Sequence, residues 1–337
     1  MLKDQTEKHF YPFKRNEGVP FDSIPFLTKQ LNKSTITKSA LAYSKKRPVK
    51  KAQQAAFLLR IITCCDNTAL SGNDSEANIE RLCMKSRFPI RIDLLKELHI
   101  TNGELQFDHD QQKRSFTTAA VCVYPARVSE AVKYLQGSGI PVASVATGFP
   151  SGQIGQEAKI LEIKQAITDG ASEIDIVIPR DLVLQGKWKE LYDVVKEFRQ
   201  ACGDKHMKTI LATGELESLI NVYRASMVCM MAGADFIKTS TGKEAVNATL
   251  PVGLTMILAI RDYRAASNFI VGLKPAGGIS TAKSALDWLI MMNEELGEEY
   301  THNSLFRIGC SSLIPDIERQ LHHCVYGEYA SIAGLAS

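Results

Sequence analysis

Ala232-Gly233-Ala234-Asp235-Phe236-Ile237-Lys238-Thr239-Ser240-Thr241-Gly242-Lys243 joins a helix stop to a short apolar run and then to a polar loop of small residues. That order places Lys238 where a buried strand is about to end. Taken alone, such a lysine is ordinarily one that snorkels from a strand end to solvent. Kept from water, it either pairs with an acid or loses its proton, and a neutral amine at a strand end is a nucleophile toward carbonyl carbon.

On both sides of this stretch the same unit recurs: a short apolar run, a polar loop, an amphipathic helix. Strands are expected at 58–64, 118–124, 142–147, 173–178, 207–212, 236–239, 270–274 and 306–309, with helices behind them, one of which spans about 188–202 and stops at Gly203. Eight βα units with nearly continuous apolar strands fit a closed (β/α)8 TIM barrel, in which each strand is buried on both faces. An open doubly wound sheet usually marks its nucleotide site with G-x-G-x-x-G after an early strand, and the chain has no such run. Ser240-Thr241-Gly242-Lys243-Glu244 also fails as a phosphate loop, because the preceding glycine is missing and Glu244 follows the lysine. The expected organisation is an N-terminal extension at 1–54, partly helical and basic, the barrel at 55–325 and a tail at 326–337.

Composition excludes several classes. At 337 residues and 45% hydrophobic the chain can bury a full core, and its net charge of +3 is too small to imply a nucleic-acid or membrane partner. No apolar run approaches the ~20 residues of a spanning helix. The first residues, Met1 to Lys8, lack a signal-like apolar core, so the expected location is cytoplasmic, with a nuclear fraction if the basic run Lys45-Lys46-Arg47-Pro48-Val49-Lys50-Lys51 acts as an import signal. A solvated helix edge is the plainer reading of that run. The eight cysteines form no C-x-x-C pair and read as buried thiols, and the scattered histidines, like the polar loop Asp108-His109-Asp110, give no metal-ligand spacing.

In this fold the active site gathers at the C-terminal strand ends. On the expected strands those ends carry Asp66, Tyr124, Thr147, Asp175, Thr213, Lys238, Lys274 and Gly309 with Ser311 and Ser312. Lys238 and Lys274 would end neighbouring strands, where like charge and burial both oppose two adjacent ammonium groups. At the ordinary lysine pKa of ~10.4 only about one side chain in 2,500 is neutral at pH 7, so a Schiff-base lysine needs such a neighbour. Asp175 can neutralise one lysine and relay protons, while Glu173, nearer the start of the same strand, reads as structural. Gly277-Gly278 and Gly309 to Ser312 fall in the last two loops, where barrels often hold a phosphate.

Asp235 to Lys243 and Gly272-Leu273-Lys274-Pro275-Ala276-Gly277-Gly278 resemble the signature of the deoxyribose-phosphate aldolases. So do Val121 to Pro125, Glu173 to Val177, Ala212 to Leu216 and Arg307 to Leu313, in order along 55–325. The resemblance implies a class I aldolase that reversibly cleaves 2-deoxy-D-ribose 5-phosphate to acetaldehyde and D-glyceraldehyde 3-phosphate in deoxyribonucleoside catabolism, with no cofactor and no metal. It implies that Lys238 forms the imine, Lys274 drives off its proton and Asp175 serves the proton relay. Lys243, Gly277, Gly278, Gly309, Ser311 and Ser312 would hold the phosphate, with Asp66 and Thr213 close to the sugar. Tyr326 and Tyr329 are the candidates for the tyrosine with which shorter family members end. The expected partner is a small phosphorylated sugar; no nucleic acid or membrane is needed, and a homo-oligomer is compatible. A metal-dependent sugar-phosphate barrel would leave the paired lysines unexplained, and an interaction protein on an aldolase scaffold would use the basic run instead.

Overall fold

The computed structural model describes residues 14–45, 51–98, 116–331 and 335. Among these residues three helices, α1 (Ile24–Leu27), α2 (Lys33–Tyr43) and α3 (Lys51–Thr63), precede the first strand, β1 (Cys65–Ala69). After α4 (Glu76–Arg87) and α5 (Ile92–Glu97) come β2 (Ala120–Val123), α6 (Val128–Leu135), β3 (Val142–Ala146), α7 (Gln156–Thr168) and β4 (Glu173–Val177). The chain continues through α8 (Arg180–Leu184), α9 (Trp188–Cys202), β5 (His206–Ile210), α10 (Leu219–Met231) and β6 (Phe236–Lys238). It ends with α11 (Leu250–Ser267), β7 (Gly272–Lys274), α12 (Ala282–Leu296), β8 (Ile308–Cys310) and α13 (Leu313–Tyr326).

The eight strands among the described residues are all parallel and hydrogen-bonded in the order β7-β6-β5-β4-β3-β2-β1-β8. The seam between β8 and β7 closes through Leu273 N to Leu305 O (2.9 Å), Arg307 N to Leu273 O (3.1 Å) and Gly309 N to Pro275 O (2.9 Å). This is the expected (β/α)8 barrel. Because helices cover the outside and side chains fill the inside, runs such as β3 are buried at every position, which explains why they carry no polar alternation. α9 ends where the sequence places its glycine stop, with Gly203 at φ 55°.

The misplaced strand is the first. Residues 58–64 are largely the C-terminal half of α3, whose buried side chains are Ala55, Leu58, Ile61 and Ile62, a helical spacing of three and four. A short apolar run suits either structure until the positions flanking it are counted. The strand begins at Cys65, so Asp66 stands inside β1 rather than beyond it.

The described part of the N-terminal extension packs onto the barrel's helices. Asn16 is buried, donating to Met230 O (2.7 Å) and Ala234 O (2.9 Å) and accepting from the Tyr263 hydroxyl (2.8 Å). Phe26 is fully buried with its ring edge toward Trp188, and α2 buries Ile36, Ala40 and Tyr43. Most of the basic run, residues 46–50, and the loop at 108–110 lie outside the described residues. Among the described residues no helix is long and apolar enough to cross a membrane. Cys64, Cys65, Cys83, Cys122, Cys202, Cys229 and Cys310 are buried thiols, and burial pushes Cys64, Cys83, Cys202 and Cys229 up to about 12, which keeps them protonated and inert.

Candidate active site

Parallel register brings the two lysines face to face, Lys238 of β6 opposite Lys274 of β7, and sets Asp175 of β4 opposite Lys208 of β5. Both lysine ammonium groups donate to one oxygen, Asp175 Oδ2, at 2.9 Å from Lys238 and 2.8 Å from Lys274. Lys274 also donates to Asp66 Oδ2 (2.5 Å). The other Asp175 oxygen, Oδ1, accepts from Lys208 (2.8 Å), whose ammonium also reaches Glu173 Oε2 (2.5 Å). Arg307, immediately before β8, completes the network from below through Asp66 Oδ1 (2.6 Å) and Glu173 Oε1 (3.0 Å). Asp66, Glu173, Asp175, Lys208, Lys274 and Arg307 are all fully buried, and Lys238 is 2% exposed.

Charges so deep cost several kcal/mol each in lost hydration unless they pair. Burial alone would push the Asp175 carboxyl up; the ammonium groups of Lys208, Lys238 and Lys274 outweigh it and hold the acid well below the usual carboxylate range. Asp66 is lowered in the same way, against burial, by Lys274, Arg307 and Lys208. For Lys274 and Lys208 burial favours the neutral amine, but their carboxylates override it and raise both, so they stay charged.

Above this network opens a cavity of about 390 Å³ at the C-terminal strand ends. Its lining includes Lys238, Lys243, Gly277, Gly278, Gly309, Ser311 and Ser312, seven of the residues expected from sequence. Lys274, Asp175 and Asp66 lie beneath its floor rather than on its wall. Thr213 does not line it either; its amide donates to Thr239 O (2.8 Å) and its hydroxyl is buried with no hydrogen-bond partner among the described residues. One end of the cavity suits an anion. Ser311 and Ser312 are exposed at the N-terminus of α13, Lys243 is exposed on the loop after β6, and Gly277 and Gly278 turn with φ of 82° and 81°. The loop holding Lys243 is set by Glu244, whose carboxylate accepts from the amides of Thr241 (3.0 Å) and Gly242 (3.1 Å), leaving the lysine side chain as that loop's offering.

Gly309, which lines the cavity, also has a packing role. A Cβ there would meet Ala276 Cβ at 2.9 Å and Lys274 Cε at 3.4 Å, so the glycine lets the barrel seam close against Lys274. Tyr326 and Tyr329 do not line the cavity; both are about half exposed and lie against His322 and His323 of α13. Sequence reasoning missed Lys208 and Arg307. The available signal was a lysine within the expected fifth strand, where an unpaired charge would be untenable, next to the strand carrying two acids. Thr68, near the end of β1, and Ser71 and Asp74, after it, also line the cavity and were not singled out.

The DeoC/LacD aldolase family model matches residues 109–309. The chain is 56% identical over 318 residues to the deoxyribose-phosphate aldolase of Bos taurus, covering 94% of this chain and 96% of that one. It is 53% identical over 319 residues to the Homo sapiens enzyme of the same name, with the same coverage. Among solved structures, a putative deoxyribose-phosphate aldolase from Toxoplasma gondii ME49 superposes with a TM-score of 0.67 at 22% identity, covering 84% of this chain and 99% of that one, a likeness of fold.

Proposed function

The chain belongs to the DeoC/LacD aldolase family, within it to the deoxyribose-phosphate aldolases, which are lyases, and from that premise we propose that it cleaves 2-deoxy-D-ribose 5-phosphate reversibly through an imine on Lys238. The observation that carries this reading is that, of the four cations in the buried network, Lys238 alone lines the cavity. Lys274 is fully buried and held charged by Asp66 and Asp175, which suits a fixed cation and not a group that must reach a substrate.

Once neutral, the Lys238 amine adds to the C1 aldehyde of the open-chain sugar, and loss of water gives the imine. The C2–C3 bond then breaks, its electrons passing to the imine nitrogen while the C3 hydroxyl gives up its proton. C3 becomes the aldehyde of D-glyceraldehyde 3-phosphate, and the remaining enamine takes a proton at C2 before water releases acetaldehyde and the free lysine. Asp175 passes protons between the two lysines in this reading, which its bridging of both through one oxygen supports. Lys243, Gly277, Gly278, Ser311 and Ser312 would receive the phosphate at the far end of the cavity, and such a reaction belongs to deoxyribose phosphate breakdown.

Borohydride added with deoxyribose 5-phosphate or acetaldehyde should inactivate the enzyme and leave a reduced adduct on Lys238, whereas EDTA should change nothing. An adduct mapped to another residue, or sensitivity to the chelator, would sink the mechanism.

A further inference from the structure

Among the described residues, the network below the cavity holds more positive than negative groups: Lys208, Lys238, Lys274 and Arg307 meet the three carboxylates of Asp66, Glu173 and Asp175. With every group ionised, one ammonium is in excess. The four cations are not equally served. Lys208 touches Glu173 and Asp175 and lies 3.8 Å from Asp66, Lys274 touches Asp66 and Asp175, and Arg307 touches Asp66 and Glu173. Lys238 has one carboxylate oxygen, which it shares with Lys274.

Taking Lys238 as the imine-forming residue, we propose that Lys208 is a positioning residue for the reaction: seated on Oδ1 of Asp175, on the side away from the substrate, it neutralises that carboxylate so that Lys238 lacks a full counter-ion and releases its proton. Lys208 lines no part of the cavity and donates to neither lysine, so it acts through Asp175. The other titratable side chains facing this region leave the balance unchanged. Burial pushes the Cys122 thiol of β2 up, and it pushes His206, two residues before Lys208 on β5, down to about 3, so both are neutral near pH 7. β3 carries no titratable residue.

The test is the pH dependence of kcat/KM for deoxyribose 5-phosphate cleavage by the full chain, with borohydride adducts mapped in each variant. Lys208→Met removes a cation from around Lys238, so its ammonium form is favoured and the acid limb should move up by on the order of one pH unit, roughly tenfold in kcat/KM below the limb. Glu173→Gln removes a carboxylate with little change of shape, and its limb should move the opposite way. The double variant restores the original imbalance and should return the limb to the parent position, and Lys208→Arg, which keeps a cation, should leave the limb in place even where turnover falls. Limbs that stay put in both single variants, or move in the same direction, overturn the proposal; a residue that only braces the barrel would lower activity without opposite shifts. Should Lys208→Met fail to fold, the direction of the Glu173→Gln limb decides alone. An adduct away from Lys238 overturns the imine assignment itself, whereas an adduct on Lys238 with unmoved limbs overturns only the role of Lys208.

Discussion

Lys274→Leu removes an ammonium 2.5 Å from Asp66 Oδ2 and 2.8 Å from Asp175 Oδ2, and the structure sets the size of two separate effects. Breaking a buried ion pair from one side ordinarily costs ~3–5 kcal/mol because a charge is left unpaired. Here Asp66 keeps Arg307 at 2.6 Å, and Asp175 keeps Lys208 at 2.8 Å and Lys238 at 2.9 Å. Neither acid is orphaned, so the loss should sit near the lower end, ~3 kcal/mol, read as a lower midpoint in urea unfolding. The effect on rate is electrostatic. A like charge removed from beside Lys238 favours its protonated form, and with such neighbours worth ~1–3 pH units the acid limb should move up by that amount, lowering kcat/KM at neutral pH by ~10- to ~1,000-fold. Lys274→Arg keeps a charge in a different shape and should recover part of the limb with poor turnover. Initial rates of glyceraldehyde 3-phosphate formation across pH measure both. Normal turnover with an unmoved limb in Lys274→Leu, or a borohydride adduct on Lys274 in the parent enzyme, would refute the two-lysine reading.

The phosphate end of the cavity is tested by Ser311→Glu, which should raise KM for the phosphorylated sugar far more than for free deoxyribose, since it sets a carboxylate at the start of α13; equal losses on both substrates would move the phosphate elsewhere. Phe26→Ala empties a fully buried ring site and should cost ~3–5 kcal/mol, and deletion of residues 1–49 should destabilise the barrel further; an unchanged unfolding midpoint would show that the extension is dispensable. Asp66 and Asp175 are held below their unfolded values, so their stabilisation is fully present above pH ~4 and is lost as pH falls through the folded values. Denaturant midpoints should therefore fall on strong acidification, less steeply in Asp66→Asn, and a fall already under way at neutral pH would contradict this.

The barrel was legible in the sequence because its signal is local: each strand is a short apolar run with a loop and an amphipathic helix behind it, and seven of the eight runs overlap the strands that form. Lys238 and Lys274 were legible for the same reason, each ending such a run. The exception, 58–64, shows the limit of local reading, since Leu58, Ile61 and Ile62 are apolar neighbours whose helical spacing emerges only with Ala55. What each buried charge touches was decided by tertiary structure. Asp66 lies 208 positions from the lysine it holds, and Arg307 is 241 positions from Asp66 and 134 from Glu173. Only closure of the β7–β8 seam brings these groups together. Composition cannot distinguish a lysine paired with two carboxylates from one sharing a single oxygen at a cavity floor, because the energy of a buried charge is set by where its counter-ions stand, and that depends on the register of strands far apart in the chain.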